Sequence, residues 1–80
     1  MSNRFDDMRS NPKGNWKIGD IEALCREFGL QCRPPSGGGS HYKISHHNQR
    51  EILTIPARRP IKPVYIRKLV SFVEAVIRQT

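Results

Sequence analysis

Residues 40–56 of the chain, SHYKISHHNQREILTIP, decide how the protein folds. Ser40–Ser45 alternates between apolar and polar side chains, as a strand with one buried face does. A polar turn at residues 46–50 leads to a second alternating segment, Glu51–Ile55, and Pro56 ends it because proline cannot donate to a sheet ladder. The stretch predicts two adjacent antiparallel strands. Their buried face carries Tyr42, Ile44, Leu53 and Ile55, and their solvent face carries His41, Lys43, Ser45 and Thr54.

Helical patterns stand on both sides of this pair. Before it, a helix is predicted from Ile18 to Phe28, followed by Gly29 as a left-handed C-cap. Leu30–Arg33 adds a short strand, and the Pro- and Gly-rich residues 34–39 cannot hold regular structure. After the pair, Pro63 suits the first turn of a second helix. The apolar stripes of the two helices are Ile18, Ile21, Leu24, Cys25 and Phe28, and Ile66, Leu69, Val70, Val73 and Ile77.

This order predicts an α+β fold, αβββα, in which two helices cover one face of a three-stranded antiparallel sheet. The 80 residues allow one domain with a thin core. We expect residues 16–80 to form that domain. Residues 1–15 are expected to be an N-terminal extension, either a short helical turn over Arg4–Arg9 or loose chain.

Positive charge is concentrated in the second half of the chain. The chain has 14 Lys and Arg, 7 Asp and Glu and a net charge of +7. Residues 1–40 hold six basic and five acidic groups, a net of +1, whereas residues 41–80 hold eight and two, a net of +6. Such charge favours a polyanionic partner, because each neutralised phosphate releases condensed counterions. Solubility alone is the alternative explanation. A membrane surface is not favoured, since no segment outside the core pairs a wide apolar face with a basic one.

The cysteines and the N-terminus bear on the compartment. No apolar signal region and no bilayer-length apolar run is present, so we expect a cytoplasmic protein. Cys25 and Cys32 are too far apart for a CxxC motif and are expected to be free thiols that pack as small hydrophobic groups. His46 and His47 suggest a metal site with His41, but no carboxylate or thiolate completes a ligand pattern. We therefore expect no metal and no cofactor.

The segment Gly37–Lys43 contains the best candidate for chemistry. A glycine run brings backbone N–H groups close to a ligand, which suits a phosphate at Gly39 and Ser40. His41 follows at the start of the strand, and histidine is the side chain whose ordinary pKa, about 6.5, suits proton transfer near neutrality. The alternative is an ordinary exposed strand histidine. A second cluster surrounds the start of the last helix, where backbone donors already favour anions, and it consists of Arg58, Arg59, Lys62, Arg67 and Lys68.

Taken in order, these segments resemble the HicA toxins of bacterial HicA–HicB type II toxin–antitoxin systems. The resemblance covers about residues 16–78. It rests on Gly39–Lys43, then Leu53–Pro56, then Ile61–Pro63 with Tyr65–Leu69, and the helix ending in Gly29 fits as well. The chain has Gly38 where such toxins often have Lys or Arg, so Lys43 or Arg33 would take over that phosphate contact.

The resemblance implies a fold like that of double-stranded-RNA-binding domains and ribonuclease activity on messenger RNA. The single catalytic histidine of the family corresponds to His41. A HicB-like antitoxin is expected to cover the active surface in a hetero-oligomer. The alternative in another class is a non-catalytic RNA- or DNA-binding module that uses the same basic surface.

Overall fold

The computed structural model describes residues 3–79. Three helices accompany a three-stranded antiparallel sheet with the strand order β1-β2-β3, which confirms the α+β class. The elements are α1 (Asn3–Ser10), α2 (Ile18–Phe28), β1 (Gln31–Arg33), β2 (His41–Ser45), β3 (Leu53–Pro56) and α3 (Pro63–Gln79).

The two faces of the sheet differ as the alternation predicts. Tyr42 pairs with Ile55 on the side that the helices cover, and Ile44 and Ile55 are fully buried there. On the opposite side His41, Lys43 and Thr54 are all exposed. The structure therefore leaves one face of the sheet open to solvent and buries the other.

Strand β3 begins two residues later than the alternation suggested and includes Pro56. Glu51 and Ile52 stay outside because the pairing with β2 starts at Leu53. Pro56 can close the strand because it stands opposite His41 in a pair that exchanges no hydrogen bond. Hydrogen-bonded and non-hydrogen-bonded pairs alternate along an antiparallel ladder. The next pair is hydrogen-bonded, since the Ala57 N–H donates to the Ser40 carbonyl at 2.7 Å, so the pair of His41 and Pro56 is not.

Helix α2 has the predicted limits, and both its ends have local causes. Gly29 adopts the left-handed conformation, with φ 71°, and its N–H returns to the Cys25 carbonyl. At the other end the Asp20 carboxylate accepts a hydrogen bond from the Lys17 N–H at 3.0 Å. Ile21, Leu24 and Cys25 of its stripe are buried.

Helix α3 starts at Pro63 as predicted, but its apolar stripe ends differently. Four of the five predicted positions are buried, whereas Ile77 is 47% exposed and Val76 is buried instead. The prediction for Ile77 was wrong. The helical period allows a step of three or four residues after Val73, and the position of the core selects the step of three.

Helix α1 is packed on the rest of the domain, so the first residues take the helical alternative of the two that the sequence left open. Phe5 and Met8 are buried in the common core. The Phe5 ring meets Phe28 of α2 edge-on, with 5.3 Å between centroids. Arg4 pairs with Glu27 of α2 at 3.0 Å. The helix thus adds a third layer of contacts over α2 and α3.

Both cysteines are free thiols, as expected. Cys25 lies in the core and Cys32 is half-buried on β1. Burial, followed by the neighbouring Cys32 thiol, raises the pKa of Cys25 to about 12. Burial also raises the pKa of Cys32. Both groups therefore stay protonated near neutrality, in keeping with a packing role.

Candidate active site

A cleft of about 260 Å³ opens where β2 begins and α3 approaches it. The start of β2 lies beside the end of β3, because His41 pairs with Pro56 and the Ala57 N–H is bonded to the Ser40 carbonyl. The chain then turns into α3 within seven residues. The cleft is lined by Ser40, His41, Pro56, Arg58, Lys62 and Tyr65.

His41 is exposed at the mouth of this cleft. Within residues 3–79 no protein group holds its imidazole by a hydrogen bond or an ion pair. Both ring nitrogens are therefore free to meet a bound molecule, which a general base requires. Nothing in the described chain orients the ring, so a ligand's own contacts would have to do so.

The glycine run before β2 forms a turn that depends on glycine. Gly37 and Gly38 have φ of 65° and 87°, in the left-handed region that side chains disfavour. A Cβ atom at either position would meet nothing within 4 Å, so backbone conformation and not space is the reason for glycine here. Gly39 is exposed and leads into Ser40 at the cleft.

Lys62 and Arg58 bring positive charge to the opposite wall. The Lys62 carbonyl accepts the N–H of Tyr65 at 2.9 Å, so this residue caps the N-terminus of α3. The positive end of the helix dipole consequently points towards the cleft. Buried Ile61 anchors the segment, since its N–H donates to the Trp16 carbonyl at 2.9 Å.

Lys43 and Arg33 come together on the open face of the sheet. They are opposite one another in the β1–β2 pairing, and both are exposed. Lys43 is two residues from His41 on the same strand and therefore projects from the same face. The basic surface thus continues from the cleft across the open side of the sheet.

The remaining predicted residues lie outside the cleft. Arg59 is exposed next to Arg58 but does not line it. Arg67 and Lys68 line a different depression, along the edge of β3. Sequence proximity had grouped these three with Arg58 and Lys62, but of the five only Arg58 and Lys62 line the cleft.

The ion pairs of the described chain all involve α1. They join Arg4 to Glu27, and Arg9 to both Asp6 and Glu74. Within residues 3–79 the basic groups of the cleft and the open sheet face have no acidic partner. Arg33, Lys43, Arg58 and Lys62 are consequently available to an external anion.

Pro56 and Tyr65 line the cleft without having been predicted as site residues, and of the two Tyr65 has the side chain that can bind a ligand. It is half-buried, and the Lys68 ammonium lies 5.9 Å from its ring centroid. Its position in the first turn of α3, one helical turn after Lys62, could have suggested it. An aromatic ring beside unpaired cations is the combination with which proteins stack nucleobases.

His46 and His47 are placed in a turn of their own, away from the lining of the cleft. Their ring centroids are 4.3 Å apart, and His46 Nδ1 accepts the Asn48 N–H at 3.1 Å. Asn48 in turn donates its side-chain amide to the Val76 carbonyl at 3.2 Å, which ties the turn to α3. Among residues 3–79 no three His, Cys, Asp or Glu side chains come together as a metal-ion site.

No protein-family model, curated protein or solved structure matches the chain. The part of the chain from residue 3 to 79 also has no helix with the length and apolar character needed to cross a bilayer.

Proposed function

We propose that this chain is a small endoribonuclease toxin of the HicA type that cleaves messenger RNA with His41 as its catalytic residue. The observation that supports this most is the cleft itself. It combines an exposed imidazole with two cations that have no acidic partner, Arg58 and Lys62, and one half-buried aromatic ring, Tyr65.

RNA supplies its own nucleophile, so these few groups suffice for a reaction. His41 takes the proton of a 2′-hydroxyl as general base. The 2′ oxygen forms a bond to the adjacent phosphorus, the bond from phosphorus to the 5′ oxygen breaks, and a cyclic phosphate remains. A water molecule donates a proton to the leaving 5′ oxygen, and the hydroxide that remains takes the proton from the His41 imidazolium, which restores the base.

The other groups bind and position the strand. Arg58 and Lys62 neutralise the phosphate and its developing charge, assisted by the N-terminus of α3. The Tyr65 ring stacks on a flanking base. Lys43 and Arg33 hold phosphates further along the open sheet face. The helix–three strands–helix order of α2 to α3 is compatible with the double-stranded-RNA-binding-domain-like fold that the resemblance implies.

A HicB-like antitoxin would keep such an enzyme inactive in the cytoplasm. A +7 domain with an open basic face favours an acidic partner, whose charge speeds the encounter. We expect its interface to cover His41 and part of the basic surface and so to exclude RNA. Co-expression of the neighbouring gene should then restore growth, and failure to do so counts against the antitoxin.

The enzyme is tested with an RNA oligonucleotide and its all-deoxy counterpart, each with and without EDTA. We expect cleavage of the RNA alone, independent of EDTA. His41→Ala should reduce the rate by at least 10²–10⁴-fold, the usual contribution of a general base. His47→Ala is the matched control, because His47 is equally an exposed histidine but does not line the cleft. Circular dichroism checks that both variants fold.

The rival function is a nucleic-acid-binding module without chemistry. Within residues 3–79 no protein group orients His41. This favours a binding module over an enzyme. Tight binding of both oligonucleotides with no cleavage of either would select the module. Cleavage at the wild-type rate by folded His41→Ala would remove His41 from the mechanism.

A further inference from the structure

A second and larger depression, of about 820 Å³, runs between the outer edge of β3 and helix α3. Ile52, Leu53 and Thr54 line it on the strand side, and Val64, Phe72 and Ala75 line it on the helix side. We call it the edge groove. It shares no lining residue with the cleft of His41.

The walls of the edge groove expose apolar surface. Ile52 is 61% exposed and Val64 46% exposed, and they are two of the three large hydrophobic residues that the described chain leaves in solvent. Phe72 lies half-buried between the groove and the core. Clustered apolar surface of this kind indicates a site for another molecule.

The strand side of the edge groove also offers main-chain hydrogen bonds. Strand β3 is an edge strand, and among residues 3–79 β2 is its only neighbour in the sheet. The bond from Ala57 N–H to the Ser40 carbonyl sets the phase of the ladder, so the N–H and C=O of Ile55 point to β2. Those of Thr54 point outward, along the edge groove. An extended peptide that lies there can pair with them.

The charges at the groove select an acidic occupant. Arg67 and Lys68 line it, whereas Glu51 is the one acidic residue among its lining. A second copy of this chain would bring another molecule with a net charge of +7 against Arg67 and Lys68. An amphipathic helix would leave the outward groups of Thr54 unpaired.

We propose that the edge groove binds an extended, acidic segment of a partner protein, which adds to β3 as a fourth strand. Apolar side chains of that segment pack against Ile52, Val64 and Phe72, and its carboxylates meet Arg67 and Lys68. The proposal does not depend on whether His41 cleaves RNA, because groove and cleft have no lining residue in common.

The probe for this site is a blocked seven-residue peptide that alternates valine and glutamate. Titrated into ¹⁵N-labelled full-length protein, it should shift the amide signals of Thr54, Val64 and Ala75 and slow hydrogen exchange at Thr54. The same peptide N-methylated at every residue has no main-chain N–H on either edge, so it cannot pair as a strand and should leave these signals in place. A peptide with lysine for glutamate should bind at least ten-fold more weakly.

Thr54→Pro removes the outward N–H without touching the bonds to β2, and Thr54→Val keeps that N–H. We expect Thr54→Pro to lower the affinity for the peptide about ten-fold, the effect of losing one net hydrogen bond. Thr54→Val should bind the peptide as the wild-type protein does. If Thr54→Pro does not fold, the N-methylated peptide makes the same comparison on the wild-type protein.

Three results would overturn the proposal. One is the absence of groove shifts at millimolar peptide, and another is equal binding of the N-methylated peptide. The third is a dimer that forms without peptide in sedimentation experiments and that Thr54→Pro dissociates. That result would mean that a second copy of the chain occupies the edge groove. RNA cleavage by the same samples is measured separately. A failure of the proposed ribonuclease function can then be distinguished from a failure of peptide binding in the edge groove.

Discussion

At the scale of single residues, the cleft depends on side chains whose roles differ although they are neighbours. His41 is exposed, with no hydrogen bond or ion pair to its imidazole within residues 3–79. The backbone of Lys62 is fixed at the start of α3, and Tyr65 is half-buried. Only the imidazole has chemistry suited to moving a proton near neutrality. The tyrosine is suited to contact with a base, because its ring is half-buried at the cleft.

Tyr65 gives a prediction that separates the ring from the hydroxyl. Tyr65→Ala should weaken binding of single-stranded RNA by about 1–3 kcal/mol, the usual value of one stacked base. Tyr65→Phe keeps the ring and should bind and cleave within about two-fold of wild type. Fluorescence anisotropy measures binding, and a cleavage time course follows in the same buffer. A folded Tyr65→Phe protein that binds normally and does not cleave would instead make the hydroxyl a proton donor.

The glycine turn gives a second prediction at this scale. It tests whether glycine is required by the backbone conformation or by a lack of space for a side chain. Gly37→Ala and Gly38→Ala should each lower the free energy of unfolding by about 1–2 kcal/mol, because alanine disfavours the left-handed region. Gly39→Ala is the control, since Gly39 has no positive φ and its added Cβ would lie at an ordinary 3.5 Å from Pro35. Urea denaturation of the three variants measures the difference. Equal losses at all three positions would contradict this explanation.

At the scale of elements, the site arises where two of them meet. Strand β2 supplies His41 at its first residue, and α3 supplies Lys62 and Tyr65 at its beginning. Neither element alone brings the imidazole to the cations. The same helix places Arg67 and Lys68 in the lining of the edge groove, so one helix serves two surfaces.

The division of the basic residues between these surfaces predicts a salt effect. Arg58→Ala with Lys62→Ala should reduce the slope of log affinity against log salt by about 0.7 per lost phosphate contact on single-stranded RNA. The control pair, Lys13→Ala with Arg26→Ala, removes the same charge from exposed positions outside the cleft and should leave the slope nearly unchanged. Binding is titrated across a series of salt concentrations. Equal slopes for the two double variants would mean that the RNA lies elsewhere.

At the scale of the whole molecule, a thin core is shared by all three helices and the sheet. Met8 of α1 is fully buried together with Ile21, Ile44 and Leu69 of the other elements. In a chain of 80 residues, each such side chain is a large part of the total stability. The N-terminal helix is therefore structural, and its ion pairs with α2 and α3 are minor additions at the surface.

This packing predicts that the first helix cannot be removed freely. Met8→Ala should lower the free energy of unfolding by about 2–5 kcal/mol, the range for large-to-small changes in a core. Asn3→Ala, on the exposed side of the same helix, should change it by less than about 0.5 kcal/mol. Chemical denaturation compares the two variants with wild type. A fully stable Met8→Ala protein would contradict the structural role assigned to the packing of α1.

Much of this protein follows from its sequence because it is local. The alternation around Ile44, the cap at Gly29 and the start of α3 at Pro63 depend on neighbours a few residues away, and all were predicted. His41 and Lys43 were likewise placed on the open face by the two-residue period of a strand.

The tertiary structure decided what depends on groups far apart in the chain. Val76 and not Ile77 is buried because the core, and not the helical period, selects the last inward position. Tyr65 joins His41 across 24 residues because α3 returns beside the end of β3. The outward groups of Thr54 matter only once β3 is known to be an edge strand. Periodicity determines which face a side chain takes, but only packing determines which faces meet.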